Sequence, residues 1–165
     1  MIVNETVPSR VIRAEILTAP VFAPFGDVVE PPELGARAFL EASLVARDGA
    51  VMPRLSFSHM PCWDLPLTAT RMERHTRSAQ CFVPMDVSRY LILVAPDDHG
   101  APDPAGLRAF LATGDQVVNY HLGTWHHPQR PLDRPGRFAV LMWSTGRKDD
   151  DEEWASLPEP VQISL

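Results

Sequence analysis

Four of the six histidines in this 165-residue chain fall in two places: His75, and the group His121, His126 and His127. Neutral imidazole binds metal ions and exchanges protons near neutral pH. In Glu73-Arg74-His75 the outer two residues are two apart, a spacing that puts both side chains on one face of a strand. Gln80 follows after a turn. Gly123-Thr124-Trp125-His126 brings another imidazole three residues after a glycine. If the two places meet in space, Glu73, His75 and His126 form a candidate catalytic set. With Gln80 they also form a candidate ligand set for one divalent metal ion through nitrogen and oxygen donors. Neighbouring residues of a strand point to opposite faces, so only one of His126 and His127 reaches such a site. His121 and His127 compete for places beside it or at the surface. The proline after His127 stiffens that turn.

The elements that must carry these residues are short. Val11 to Leu17 reads as a first strand, and Thr18 to Gly26 as one or two helical turns. Asp27 to Glu30 reads as a short strand, with Gly26-Asp27 as a turn. Ala38 to Val45 fits either a strand or a turn of helix. Leu55, Phe57 and His59 alternate with Ser56 and Ser58, the pattern of a half-buried strand. Leu67 to Thr76 and Ala79 to Pro84 follow as strands. Tyr90 to Ala95 is a continuous apolar run, hence a strand buried on both faces. Asp103-Pro104 resembles a helix start and Gly114 a helix end, with Leu107, Phe110 and Leu111 on one face. This predicts the chain's one full helix. Gln116 to His121 and Phe138 to Trp143 complete the strands. Residues 145–165 read as a C-terminal tail, its acidic run Asp149 to Glu153 solvated.

Composition agrees with this list. Prolines number 17, about twice the usual share of ~5%, which excludes a helical bundle. Many short strands point to an all-β chain whose sheets close as a barrel or jelly roll. The expectation is one domain over residues 1–165, with its core at about 12–144. A net charge of -6 with a single lysine, Lys148, offers no basic footprint for nucleic acid. No apolar run approaches the ~18 residues of a membrane span. Two cysteines, Cys62 and Cys81, make no disulfide scaffold. A soluble cytoplasmic protein with reduced thiols is expected, with Cys81 in the core.

Glu73, His75, Gln80 and His126 resemble the four ligand positions of the cupin barrels, with Glu and Gln in place of one His and the usual Glu. Longer stretches are more specific: Phe22-Ala-Pro-Phe-Gly-Asp27, Leu65-Pro-Leu-Thr68, Gln80-Cys-Phe-Val-Pro-Met85, Leu107-Arg-Ala-Phe110, Asn119-Tyr-His121 and Trp125-His-His-Pro128. In this order, over about residues 12–144, they resemble the ureidoglycolate lyases, also called ureidoglycolate hydrolases. The resemblance implies a cupin-like jelly roll with one or two short helices, and usually a homodimer. It implies cleavage of a small-molecule substrate, ureidoglycolate, into glyoxylate and urea during allantoin breakdown. Gln80, His121, Trp125 and His59 are then candidate substrate contacts. Glu73 or His126 would act as base, and His75 or His126 as acid. His59 stands where the family usually has an arginine, and Trp143 lies in a strand end that usually reads Ile-Asp-Arg-Gly. The group that holds a substrate carboxylate stays unassigned. Two other readings are a cupin lyase or isomerase acting on another small acid, and a non-catalytic cupin that binds one.

Overall fold

The structure, a computed structural model, describes residues 10–40, 44–148 and 150–165. Its longest run of buried apolar residues forms the centre. Strand β7 (Arg89–Ala95) sends Tyr90, Ile92 and Val94 into one core cluster and Leu91, Leu93 and Ala95 into another. A strand covered on both faces needs no polar alternation.

The other strands, in chain order, are β1 (Arg10–Arg13), β2 (Glu15–Ile16), β3 (Gly26–Val29), β4 (Met52–Met60), β5 (Leu67–His75) and β6 (Gln80–Pro84). After β7 come the minor pair β8 (Asp97–Asp98) and β9 (Ala101–Pro102), then β10 (Arg108–Thr113), β11 (Val117–Tyr120), β12 (Trp125–His126), β13 (Arg130–Leu132), β14 (Gly136–Ser144) and β15 (Glu152–Ser164). The helix α1 is a single turn, Ala19–Phe22. The larger sheet runs β1-β15-β5-β12-β7-β10-β2, with β13 also on β7. Its two edges, β1 and β2, are joined in the chain by Ala14 alone. The flanking amides bond to opposite edges: Ala14 N–H to the Ser164 carbonyl at 2.8 Å, Leu17 N–H to that of Leu111 at 2.9 Å. The sheet thus nearly closes into a barrel around the cluster of Leu91, Leu93, Ala109, Trp125 and Ile163. The smaller sheet, β3-β11-β6-β14-β4, packs on its outside through Tyr90, Phe110, Tyr120 and Phe138. This is the all-β cupin jelly roll that the motifs imply.

Four expectations are corrected. The full helix after Asp103 is the strand β10. Phe110 and Ala112 enter one core cluster while Leu107 and Ala109 enter the other, a period of two that a helix cannot supply. Asp103 caps only a turn, through Ala105 N–H at 2.8 Å. Gly114 is required for space: a Cβ there would lie 1.8 Å from the Val87 carbonyl oxygen. The expected tail contains the 13-residue β15, which pairs with β1 and β5 in the larger sheet. Its two prolines, Pro158 and Pro160, fall within the register shift between Ser156 and Val161, where no ladder bond is lost. Gly26-Asp27 is strand, paired with β11, and not a turn. Finally, β4 has the opposite orientation from a buried apolar face: Leu55 and Phe57 are 60% and 68% exposed, while the alternate residues face the inside. Of the ambiguous stretch 38–45, residues 41–43 lie outside the described residues, as does Asp149 of the acidic run.

Candidate active site

Between the two sheets a cleft of about 300 Å³ opens at the end where β5 finishes and β15 begins. Its walls alternate as strand geometry requires. From β4 come Arg54, Ser56, Ser58 and Met60; from β14, Phe138, Val140 and Met142; from β6, Gln80 and Phe82; from β5, Glu73 and His75. Because Met72 points into the barrel core, its neighbour Glu73 must point out of it, toward the smaller sheet.

The turn before β12 brings the second imidazole to this place. Gly123 has φ +76°, a left-handed conformation that glycine adopts without steric cost. Its N–H donates to the His75 carbonyl at 2.7 Å. The register then sets His126 opposite Glu73. The Tyr120 ring stacks on the His126 ring at 4.1 Å, tilted by 11°, and both are buried. The His126 Nδ1 lies 2.9 Å from the Thr124 carbonyl. A carbonyl only accepts, so Nδ1 carries the proton and Nε2 turns to Glu73 Oε1, 3.4 Å away. Donor atoms of Glu73, His75 and His126 all lie within 4.8 Å of one another.

Electrostatics separate their charge states. Burial raises the Glu73 pKa, but the neighbouring imidazoles, His126 above all, outweigh it and leave it below the usual carboxylate value. Burial, with the charge of His126 beside it, drives His75 down to about 4. Glu73 is therefore an anion and His75 a neutral imidazole at neutral pH. Asp151 Oδ2 lies 3.8 Å from His75 Nδ1, and burial raises the Asp151 pKa. Its other oxygen accepts the Arg77 N–H.

Several buried polar atoms here have no hydrogen-bond partner: both nitrogens of His75, Nε2 of His126, and the side-chain oxygens of Gln80 and Gln129. Such atoms are costly unless something satisfies them. Two imidazoles, a carboxylate and an amide oxygen are a donor set that fits a divalent cation.

The other sequence candidates lie elsewhere. His59 is an exposed residue on the outer side of β4, opposite Arg137. His121 pairs with Asp27 at 3.0 Å on the half-exposed outer side of the smaller sheet. Trp125 is buried in the barrel core, with Arg74 over its ring at 4.5 Å. His127 is buried, its Nδ1 2.9 Å from the Pro128 carbonyl, and burial drives it to about 4. Cys81 is buried with its thiol pushed up to about 11, and both cysteines are free. Sequence reasoning missed Arg54, Gln129, Arg147, Asp150 and Asp151, all of which line the cleft. The alternation of β4 held a signal for Arg54, since it shares a face with Ser56 and Ser58.

A cupin jelly roll with a buried carboxylate–imidazole cluster in its cleft belongs to the class of cupins equipped for proton transfer or metal binding. Within that class the comparisons are specific. A sequence model of the family "Ureidoglycolate lyase" matches residues 9–164. A ureidoglycolate lyase of Burkholderia cepacia is 40% identical over 169 residues, covering 92% of this chain and 93% of that one. One from Chelativorans sp. (strain BNC1) is 34% identical, covering 94% and 98%. One from Pseudomonas syringae pv. tomato is also 34% identical, covering 88% and 90%. The chain belongs to the ureidoglycolate lyase family.

Proposed function

We propose that this protein cleaves ureidoglycolate into glyoxylate and urea. The observation that carries the reading is the meeting of Glu73, His75 and His126 in a ureidoglycolate lyase chain, with Glu73 and His75 in the cleft wall and His126 buried against Glu73. The substrate carries a carboxylate, a hydroxyl and a ureido nitrogen on one carbon. Its lysis removes the hydroxyl proton, forms the C=O bond, breaks the C–N bond and protonates the departing nitrogen. One proton leaves and one is delivered, so no water is consumed. Glu73, held ionised, accepts the hydroxyl proton. His126 Nε2, in contact with Glu73, exchanges that proton with the leaving nitrogen. A positioned acid or base contributes about 10²–10⁴ in rate. His75 stays neutral and orients the substrate, with Asp151 behind its Nδ1. Gln80 and Gln129 offer amide groups to the ureido end.

Glu73, His75, Gln80 and His126 would hold a divalent cation. Such an ion, when bound, supplies positive charge that lowers the hydroxyl pKa. The proposed reaction would serve purine breakdown, at the step that consumes the ureidoglycolate formed from allantoin. A cytoplasmic location agrees with two free thiols and with the absence, among the described residues, of a helix long and apolar enough to cross a membrane. The net charge of -6 speaks against a nucleic-acid partner. A homodimer would cover the outer face of β4, where Phe57, Ala139 and Val83 stand in one cross-strand row.

The deciding experiment incubates the protein with racemic ureidoglycolate. Equimolar urea and glyoxylate without ammonia is the expected result. Ammonia with carbon dioxide, or no turnover, overturns the reading.

A further inference from the structure

The cleft presents an imbalance that its proton-transfer residues do not explain. Glu73, Asp150, Asp151 and Glu152 line it, and the only cationic side chains among its lining residues are Arg54 and Arg147. Most of the other arginines are engaged, the exposed Arg13 and Arg37 apart. Arg74, Arg89, Arg108 and Arg137 are each held by a carboxylate. Arg71 and Arg130 lie over tryptophan rings at 4.4 and 4.2 Å. The guanidinium groups of Arg54 and Arg147 have no hydrogen-bond or ion-pair partner among the described residues, although four acids share their cleft.

The fold brings both arginines to one end of it. Arg54 stands opposite Met142, near the end of β14. Arg147 follows in the turn after that strand. This turn rests on the start of β4: a Cβ on Gly146 would lie 2.8 Å from Met52 Cε. The acids are already occupied or set deeper. Asp150 accepts from the Thr145 hydroxyl, Glu152 from the Trp154 indole and Asp151 from the Arg77 amide. Glu73 contacts His126.

We propose that Arg54 and Arg147 form a carboxylate-binding subsite at the mouth of the cleft and determine its preference for an anionic substrate. The inference rests on the proposed cleavage of ureidoglycolate and adds the part that the catalytic cluster leaves open. Guanidinium groups form charge-assisted, often bidentate hydrogen bonds with carboxylates. A cleft with four acids would otherwise repel such a substrate. Docking the carboxylate at the mouth leaves the hydroxyl and ureido groups directed inward, toward Glu73 and His126. The arginines act by binding, and the proton transfers do not pass through them.

The test compares wild type with Arg54→Gln, Arg147→Gln and the double variant. Neither side chain has a partner to lose, so the Tm should be unchanged. On ureidoglycolate, each single variant should raise KM roughly 10-fold and the double variant roughly 100-fold, with kcat little altered. On N-(hydroxymethyl)urea, which is ureidoglycolate without its carboxylate, all four proteins should cleave equally. A wild-type KM in the double variant, or equal losses on both substrates, overturns the proposal. Calorimetric binding of oxalurate, an unreactive analogue with a carbonyl in place of the carbinol, separates this proposal from the proposed reaction. If ureidoglycolate is not cleaved but oxalurate binds wild type at least 10-fold more tightly than the double variant, the reaction is wrong and the subsite stands. Equal binding, or none to wild type, removes the subsite.

Discussion

Two histidine–carboxylate pairs lie on opposite sides of the smaller sheet, and their chemistry differs. His121 and Asp27 are 3.0 Å apart, half exposed, with Asn119 also donating to Asp27. His126 and Glu73 are 3.4 Å apart, the imidazole fully buried and the carboxylate largely so, beside polar atoms that have no partner. By distance alone the outer pair is the better ion pair. By its surroundings it is an ordinary surface contact, of a kind worth about 0–1 kcal/mol. What distinguishes the inner pair is low dielectric and unspent bonding capacity, and both favour a bound ligand or a moving proton.

The largest test of that contrast is activity. Glu73→Gln and His126→Ala should each lower kcat on ureidoglycolate by about 10²–10⁴, while His121→Ala should stay within about threefold of wild type. Steady-state assays for urea release decide it. A loss in His121→Ala as large as that in His126→Ala would erase the distinction between the two pairs.

The inner pair was partly visible before the fold was known. Glu73 and His75 share a face because they are two apart, and the resemblance to the cupin ligand positions pointed to His126, three residues after Gly123. The outer pair was not separable from it, since His121 lies in the same histidine-rich stretch and spacing does not reveal which sheet face is covered. The same limit reversed β4. Alternation divides Leu55 and Phe57 from Arg54 and Ser56, but only the partner sheet shows that the polar set faces a cleft. In β10 an apolar face at helical spacing concealed a strand buried on both sides. In β15 two prolines and a run of acids concealed the longest strand, because a register shift accommodates them. Asp151 and Arg147 were missed with that segment.

A second test asks whether the unspent donors take a metal. Adding Zn²⁺ to chelator-treated protein at about 100 times its dissociation constant should stabilise the fold by ~2.7 kcal/mol, read as a rise in Tm. The rise should vanish in His75→Ala and His126→Ala and persist in His121→Ala. Persistence in all three would place the ion outside the cluster.

The smallest effect is an acid-side loss of stability, and its sign follows from burial. His75 and His127 have folded pKa values of about 4, below the ordinary 6.5 of an exposed imidazole. Between those values the unfolded chain binds protons that the folded chain refuses, so stability falls as pH is lowered. Each group contributes a slope approaching ~1.4 kcal/mol per pH unit within that window. Glu73, whose pKa is also lowered, acts in the same direction below its ordinary value. Asp151, whose pKa is raised, opposes it there. Urea midpoints of the chelator-treated protein at pH 7, 6 and 5 should therefore fall steadily. The slope should flatten in His127→Asn, because an amide of similar size has no proton to gain. A slope unaffected by His127→Asn would mean that acid enters the interior freely, and the contrast between a dry cluster and a wet surface pair would then fail.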